Sequence, residues 1–228
     1  MEISVCQTGP FKVNTIIVPL LDADGNGFGG KAFVVDVGGD AFAVAAELER
    51  RKLHPVALVC THGHFDHVLG LSDFCKLFPN IDVAIHPAEG CCLGESGIEI
   101  QSESLYAFGL ERWIPSLDGM PSATAFLSDG DDLSAIPCLH GNAASSRWRV
   151  VHTPGHTPGS ICLYNKEDSV LLSGDTLFYG GRGRTDLAGG SEMEIQKSLA
   201  RLKRLPAETV VYPGHDYCGF MLKDNYLV

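Results

Sequence analysis

The stretch Thr61-His62-Gly63-His64-Phe65-Asp66-His67 holds four side chains that can bind a metal ion. The residues before it, 55–60, read Pro-Val-Ala-Leu-Val-Cys and predict a short buried strand. The histidines therefore follow the end of a strand, which is where ligands bind in open α/β sheets. A histidine-rich solvated turn is the alternative, but three imidazoles and a carboxylate are costly to desolvate together without a cation. The stretch therefore predicts a metal site.

The spacing of these residues is suited to two neighbouring metal ions. His62 and His64 are two positions apart, so in an extended segment they project to the same side and can chelate one ion. Asp66 and His67 are adjacent and can reach a second point if the chain turns, which Gly63 makes easy. Imidazole and carboxylate ligands suit zinc, iron or manganese, and the lack of a thiolate argues against a closed structural zinc site.

Composition sets the class of protein. A chain of 228 residues forms one large domain or two small ones, and 45% hydrophobic with 20% charged residues is ordinary for a globular protein. The net charge of −11 argues against nucleic acid or an anionic membrane as the main partner. With scattered cysteines, no visible signal peptide and no long apolar run, we expect free thiols and a cytoplasmic location.

The segments around the histidine stretch predict alternating strands and helices. Residues 14–21 and 31–37 predict a β-hairpin with a polar turn between them. Asp40 is the expected N-cap of a helix that continues to about Lys52. Together with the strand at 55–60, this helix forms a predicted βαβ unit that delivers the metal ligands to a strand end.

Residues 88–147 predict a helical and loop excursion near the metal site. It carries Tyr106, Phe108, Trp113 and Phe126 among glycines and polar residues. Aromatic side chains line ligand pockets and also fill cores, so the segment forms either a pocket wall over the metal or a small cluster of its own.

The second half of the chain again places potential ligands after strand-like runs. His156, Asp175 and His215 each follow such a run, within Pro-Gly-His156-Thr, Ser-Gly-Asp175-Thr and Pro-Gly-His215-Asp. Each of these residues alone is weak evidence for a metal site. Together with the histidine stretch, they form an ordered set of potential metal ligands along the chain.

That ordered set, His62-x-His64-x-Asp66-His67 followed by His156, Asp175 and His215, resembles the metallo-β-lactamase superfamily over nearly the whole chain. Within it, Thr-His-Gly-His, His-Thr-Pro-Gly-His-Thr-Pro-Gly-Ser and Pro-Gly-His-Asp-Tyr resemble the glyoxalase II-like hydrolases, the hydroxyacylglutathione hydrolases. The resemblance implies an α/β fold in one domain over residues 1–228. In that fold two mixed sheets, flanked by helices, form an αββα sandwich.

The resemblance also implies a ligand set for two divalent metal ions, with zinc expected and iron or manganese possible. The first ion would be held by His62, His64 and His156, the second by Asp66, His67 and His215, with Asp175 bridging the two. His152 lies outside the family's ligand set and is expected to have a structural role.

The implied reaction is hydrolysis of a small-molecule thioester or ester, such as S-lactoylglutathione, by a hydroxide held between the metals. Asp66 would be both ligand and catalytic residue, steering a proton. Tyr217 matches a family tyrosine that helps bind glutathione, and Arg184 lies close to a basic residue of the family. Glyoxalase II enzymes grip glutathione with a C-terminal helical extension, and with the sequence ending at Val228 we expect that extension to be missing and another thioester or ester to be possible.

Three other functions compete with this interpretation. A persulfide dioxygenase of the same fold would bind one iron, mainly through His62, His156 and Asp175. A lactonase or another esterase would keep the full ligand set. A non-catalytic interaction module is less consistent with the sequence, because such members tend to lose ligands and none is missing here. Metal content separates the redox interpretation from the hydrolytic ones.

Overall fold

Two β-sheets packed face to face form the centre of the structure, a computed structural model that describes residues 2–21 and 27–227. The first sheet has its strands in the order of the chain: β1 Ser4–Thr8, β2 Val13–Leu21, β3 Gly27–Val35, β4 His54–Val59, β5 Asp82–Ile85 and β6 Ala125–Phe126. The first three strands pair antiparallel and the last three add to β3 in parallel, so the sheet is mixed.

The second sheet comes from the other half of the chain. Its strands are β7 Trp148–His152, β8 Ile161–Asn165 and β9 Val170–Gly174, followed after a separate two-stranded pair, β10 Leu177–Phe178 and β11 Gly181–Arg182, by β12 Val210–Pro213 and β13 Phe220–Met221. The order across the sheet is β13-β12-β9-β8-β7, with β12 and β9 parallel and the other neighbours antiparallel. This sheet is mixed as well.

Among residues 2–21 and 27–227, five α-helices accompany the sheets: α1 Ala41–Arg50, α2 Phe65–Val68, α3 Leu71–Leu77, α4 Gly94–Ala107 and α5 Glu192–Leu202. In the part of the chain that the structure describes, none of these helices combines the length and the apolar character that crossing a bilayer requires.

The alternation of side chains along the strands divides the core into layers. Ile16, Val18 and Leu20 point from β2 toward the second sheet, while Ile17 between them points to the opposite face. The layer between the sheets also contains Phe33 of β3, whose ring meets that of Trp148 edge to face at a centroid distance of 5.3 Å.

The outer faces of both sheets are covered by helices. Helices α1 and α3 pack on the first sheet through Val44, Leu48, Leu71 and Phe74. Helix α5 packs on the second sheet through Leu199 and Leu202. Each sheet therefore buries two apolar faces, and the predicted αββα sandwich is confirmed.

The predicted elements around the histidine stretch are present with shifted ends. Strands β2 and β3 form the predicted hairpin, while its predicted turn at 22–26 lies outside the described residues. Strand β3, helix α1 and strand β4 form the βαβ unit, with β3 and β4 parallel. The helix begins after Asp40, which occupies the N-cap position as predicted, but the Asp40 side chain forms no capping hydrogen bond with the helix. Asp40 has a left-handed backbone (φ 46°), and its carboxylate instead accepts a hydrogen bond from Gly9 N at 3.0 Å.

The segment 88–147 connects β5 to the second sheet through α4, five short 3₁₀ turns and strand β6. The four aromatic residues named in this segment lie in different environments. Phe108, directly after α4, lines a cavity of about 870 Å³, whereas Trp113 packs against the core of the first sheet. Tyr106 and Phe126 are exposed. The segment therefore supplies both a pocket wall and core packing.

The buried ring of Phe33 gives a test of the two-sheet core. Its side chain is 0% exposed, so Phe33→Ala leaves a cavity between the sheets and should lower the free energy of unfolding by about 3–5 kcal/mol. Phe42 on α1 is 70% exposed, and Phe42→Ala should stay within about 0.5 kcal/mol of the unsubstituted protein. Denaturant unfolding measures both, and equal losses would contradict the assigned core.

Candidate metal centre

The predicted ligands meet at one edge of the sandwich, on segments that follow strands. His62 and His64 come after β4 in the loop that leads into α2, and Asp66 and His67 lie within α2. His156 lies between β7 and β8, Asp175 follows β9, and His215 follows β12. Both sheets therefore contribute donors to one cluster.

The donors form three overlapping groups, each with its ligand atoms within 4.8 Å of one another: His62 with His64 and His156; His62 with His67 and Asp175; and Asp66 with His67 and His215. In the first group, His62 Nε2 lies 3.1 Å from His64 Nδ1. In the last, His215 Nε2 lies 3.3 Å from both His67 Nε2 and Asp66 Oδ2. The structure thus brings all seven predicted ligands together.

Asp175 lies between the first and last of these groups. One of its carboxylate oxygens is 3.3 Å from His67 Nε2. The other is 3.6 Å from His156 Nε2 and 3.5 Å from His215 Nε2. Its two oxygens therefore face both sets of donors, as a bridging ligand requires.

The chemistry of the donors fits metal cations. Within the described residues, the buried His156 Nε2 has no hydrogen-bond partner. His62 Nε2 and His64 Nδ1 face each other at 3.1 Å, an arrangement that a shared cation stabilises. Every donor is nitrogen or carboxylate oxygen, the set that zinc, iron and manganese accept. The cluster is therefore suited to hold metal ions.

Backbone and carboxylate acceptors fix how three of the histidines face the cluster. His67 Nδ1 donates to Asp36 Oδ2 at 2.8 Å, and His156 Nδ1 donates to the carbonyl oxygen of Arg184 at 2.8 Å. His215 Nδ1 donates to the carbonyl oxygen of Phe11 at 3.2 Å. Because one ring nitrogen is occupied in each case, the Nε2 atom is left as the donor to a metal.

Asp36 connects two parts of the histidine stretch and was not predicted as a site residue. Its buried carboxylate accepts from the N–H and the hydroxyl of Thr61, both at 2.8 Å, besides His67. Its position directly after β3 is the sequence signal that could have identified it, because the other ligands also follow strands.

Glu89 and Gln101, from the segment 88–147, hold the Gly63 peptide. Gly63 N donates to Glu89 Oε2 at 3.0 Å, and Gln101 Nε2 donates to the Gly63 carbonyl at 2.8 Å. Glu89 also accepts from Gly159 N at 2.7 Å, which ties the His62 loop to the His156 loop. A Cβ at Gly63 would lie 2.5 Å from Cys92 Cβ, so glycine is needed here for close packing. No sequence pattern pointed to these contacts.

The charge state of the histidines follows from burial and from the carboxylates nearby. Burial holds the pKa of His62 well below its usual value, and burial with His156 lowers the pKa of His64 to about 4. These two rings are therefore neutral, the form that binds metals. Burial opposes the charged form of His67, but Asp175 and Asp36 outweigh it and raise its pKa well above the usual value. The carboxylates thus favour a positive charge between them.

The cluster opens into a cavity of about 870 Å³. His64, Asp66, His156, Asp175 and His215 lie in its wall. This volume is in the range that small-molecule pockets span.

The two predicted substrate-binding residues differ in where they lie. Arg184 lines the cavity, but Nε and Nη2 of its guanidinium are each 2.7 Å from a carboxylate oxygen of Asp186. Tyr217 is not part of the cavity wall and is 62% exposed, with its ring packed on Tyr179. The residue before it, Asp216, has a left-handed backbone (φ 63°) that turns the chain there. The geometry therefore does not bring Tyr217 to the predicted site.

Two proteins are similar to this chain in sequence, and one solved structure is similar to it in fold. The probable metallo-hydrolase YqgX of Bacillus subtilis (strain 168) is 31% identical over 186 residues, which cover 81% of this chain and 80% of that protein. A hydroxyacylglutathione hydrolase of Nitrosomonas eutropha is 33% identical over 186 residues. The match covers 82% of this chain but 57% of that enzyme.

The crystal structure of TTHA1623 in a di-iron-bound form superimposes with a TM-score of 0.75 at 28% identity, covering 97% of this chain and 96% of that one. Residues 27–215 match the family model of the metallo-beta-lactamase superfamily, the span that contains every donor of the cluster. The resemblance noted in the sequence is therefore confirmed, and the chain belongs to the metallo-β-lactamase superfamily, whose members include metal-dependent hydrolases.

Proposed function

We propose that this protein is a hydrolase that uses two divalent cations to cleave a thioester, with S-lactoylglutathione as the first substrate to test. The position of Asp175 carries the proposal, because its carboxylate lies near donors of both groups: one oxygen is close to His156 and His215, and the other is close to His67. The first cation would be held by His62, His64 and His156, and the second by Asp66, His67 and His215, with Asp175 shared between them.

The donor group Asp66, His67 and His215 supports a site with two cations rather than one. A mononuclear iron site made from His62, His156 and Asp175, as in a persulfide dioxygenase, gives no role to Asp66 and His215. Asp66 Oδ2 and His215 Nε2 lie 3.3 Å apart in the cavity wall beside the buried His67, where all three side chains are placed to hold a second cation. A lactonase or another esterase would use the same donors, so the choice among these hydrolases rests on substrate tests.

The cations and the chain have separate tasks in the proposed reaction. When bound, two cations lower the pKa of water toward neutrality and polarise the carbonyl of the bond to be cleaved. Asp66 lies in the cavity wall and is the carboxylate placed to accept a proton from the attacking water. The sequence contains no Gly-x-Ser-x-Gly motif of a serine hydrolase, which agrees with water as the nucleophile.

Zinc is the proposed metal, and iron or manganese would fit the same donors. The di-iron form of TTHA1623 supports iron as the first alternative. Elemental analysis of protein purified from its native host identifies the metal without reference to activity.

Metal stoichiometry tests the shared position of Asp175. We expect two ions per chain in metal-loaded protein and fewer than two in Asp175→Asn, because the amide is a weaker ligand to both ions. His140 is an exposed histidine outside the cluster, and His140→Ala should keep the full metal content. Inductively coupled plasma mass spectrometry measures all three proteins. A single ion in the unsubstituted protein would reject the dinuclear site.

Thiol release from S-lactoylglutathione tests the reaction. Asp66→Asn removes the proposed proton acceptor, and we expect kcat/KM to fall by about 10²–10⁴-fold. The metal content of the variant is measured in parallel, because Asp66 is also a proposed ligand. His140→Ala serves as the control and should match the unsubstituted enzyme. Protein that holds two ions and releases no thiol would show that S-lactoylglutathione is not the substrate.

The hydrogen bond between Asp36 and His67 tests how the ligands are positioned. Asp36→Asn keeps the shape of the side chain but weakens the acceptor that orients His67, so metal affinity should fall by about 10–100-fold. Competition with a chromophoric chelator measures this affinity. Asp73→Asn, at an exposed ion pair with Lys76, is the matched control. An unchanged affinity in Asp36→Asn would mean that His67 is held by its packing alone.

A further inference from the structure

One wall of the cavity consists of three phenylalanine rings in mutual contact. The ring centroid of Phe11 lies 5.5 Å from that of Phe65 and 5.7 Å from that of Phe108, and the last two are 5.4 Å apart. These distances are within the range of favourable aromatic pairs. We refer to Phe11, Phe65 and Phe108 as the phenylalanine wall.

The phenylalanine wall is fixed directly beside the donors. Phe65 lies between His64 and Asp66 in the chain, and the carbonyl oxygen of Phe11 accepts the hydrogen bond from His215. A group that lies on these rings is therefore next to any carbonyl held at the cluster.

Two rings of the phenylalanine wall are accessible, while Phe65 is 5% exposed. Phe11 is 41% exposed and Phe108 is 40% exposed, and both line the cavity. Ile100, Ala107 and Leu187 extend the apolar lining. Apolar surface that faces a cavity beside a polar cluster is typical of a substrate pocket.

The cations of the cavity wall are already paired. Among the lining residues that the structure describes, Arg182 and Arg184 are the ones that carry a fixed positive charge. Arg182 Nη2 lies 2.8 Å from both carboxylate oxygens of Glu192, and Arg184 forms a two-point pair with Asp186. A substrate recognised through its own carboxylates would compete with Glu192 and Asp186 for these guanidinium groups. The cavity lining therefore offers a substrate apolar surface rather than unpaired positive charge.

From this lining we propose that the substrate carries a hydrophobic acyl group, a phenyl ring or a group of similar size attached to the reacting carbonyl, which packs on the phenylalanine wall. The inference rests on the proposed hydrolase function and specifies its substrate. Water adds to the carbonyl and the bond from the carbonyl carbon to sulfur or oxygen breaks. The products are the hydrophobic carboxylic acid and a thiol or alcohol.

Two thioesters with the same leaving group test the acyl preference. S-mandeloylglutathione differs from S-lactoylglutathione by a phenyl ring in place of the methyl group. With the metal-loaded full chain, we expect kcat/KM to be about tenfold or more higher for the mandeloyl thioester, since filling an apolar pocket has effects of this size. In Phe108→Ala and in Phe11→Ala the ratio of the two kcat/KM values should fall toward one.

Phe42→Ala is the control for these variants, because it removes an exposed phenylalanine that lies outside the cavity wall. It should leave the ratio of the two kcat/KM values unchanged. Equal kcat/KM for the two thioesters would overturn the inference, as would a ratio that neither cavity variant alters.

A binding measurement separates this inference from the proposed reaction. Isothermal titration calorimetry compares 3-phenylpropionate with propionate, two product-like carboxylates that differ by a phenyl ring, on the metal-loaded protein. We expect the phenyl compound to bind about tenfold more tightly, and Phe108→Ala to remove the difference. Phenyl-dependent binding without release of thiol from either thioester would reject the proposed cleavage of glutathione thioesters and keep the hydrophobic pocket. Thiol release without any preference for phenyl would reject the pocket and keep the hydrolase.

Discussion

The cluster of buried imidazoles and carboxylates is the constraint on which the rest of the structure depends. His62 and His67 are fully buried and Asp66, His156 and Asp175 nearly so, and desolvating such groups costs several kcal/mol each unless a counter-charge compensates. Their mutual arrangement only partly supplies this counter-charge, because ring nitrogens of neighbouring histidines face each other in two places. Cations would recover this cost, so metal binding and the stability of this edge of the sandwich are expected to be coupled.

The surrounding structure holds the donors from outside the cluster. His67 is oriented by Asp36 from the first sheet, His156 by the carbonyl of Arg184, and His215 by the carbonyl of Phe11. The segment 88–147 adds Glu89, which joins the loop of Gly63 to the loop of Gly159 and so ties together the loops that supply His62, His64 and His156. The same segment therefore supplies Phe108 to the cavity wall and Glu89 to the loops that carry the donors. A substitution that shifts one of these side chains is expected to shift the other.

The sequence was sufficient to predict the donors, because each follows a strand and both sheets end at the same edge. The βαβ unit around α1 was equally predictable from its hydrophobic pattern. Glu89 and Gln101 were not, because their partners are backbone groups of Gly63 and Gly159, and backbone contacts leave no mark in residue type. The direction of Tyr217 was not predictable either, since it depends on the left-handed backbone of Asp216.

The division of charge across the cavity limits how a substrate can be recognised. The chain carries a net charge of −11, and the carboxylates of the cluster create a negative field that bound cations would offset locally. Arg182 and Arg184 do not extend that positive region, because Glu192 and Asp186 neutralise them. Electrostatic attraction is therefore confined to the cluster, where a polarised carbonyl would sit. Away from the cluster, the phenylalanine wall offers apolar surface, and burial of this surface is the available source of binding free energy. Substrate selection therefore depends on the shape and hydrophobicity of the group next to the carbonyl.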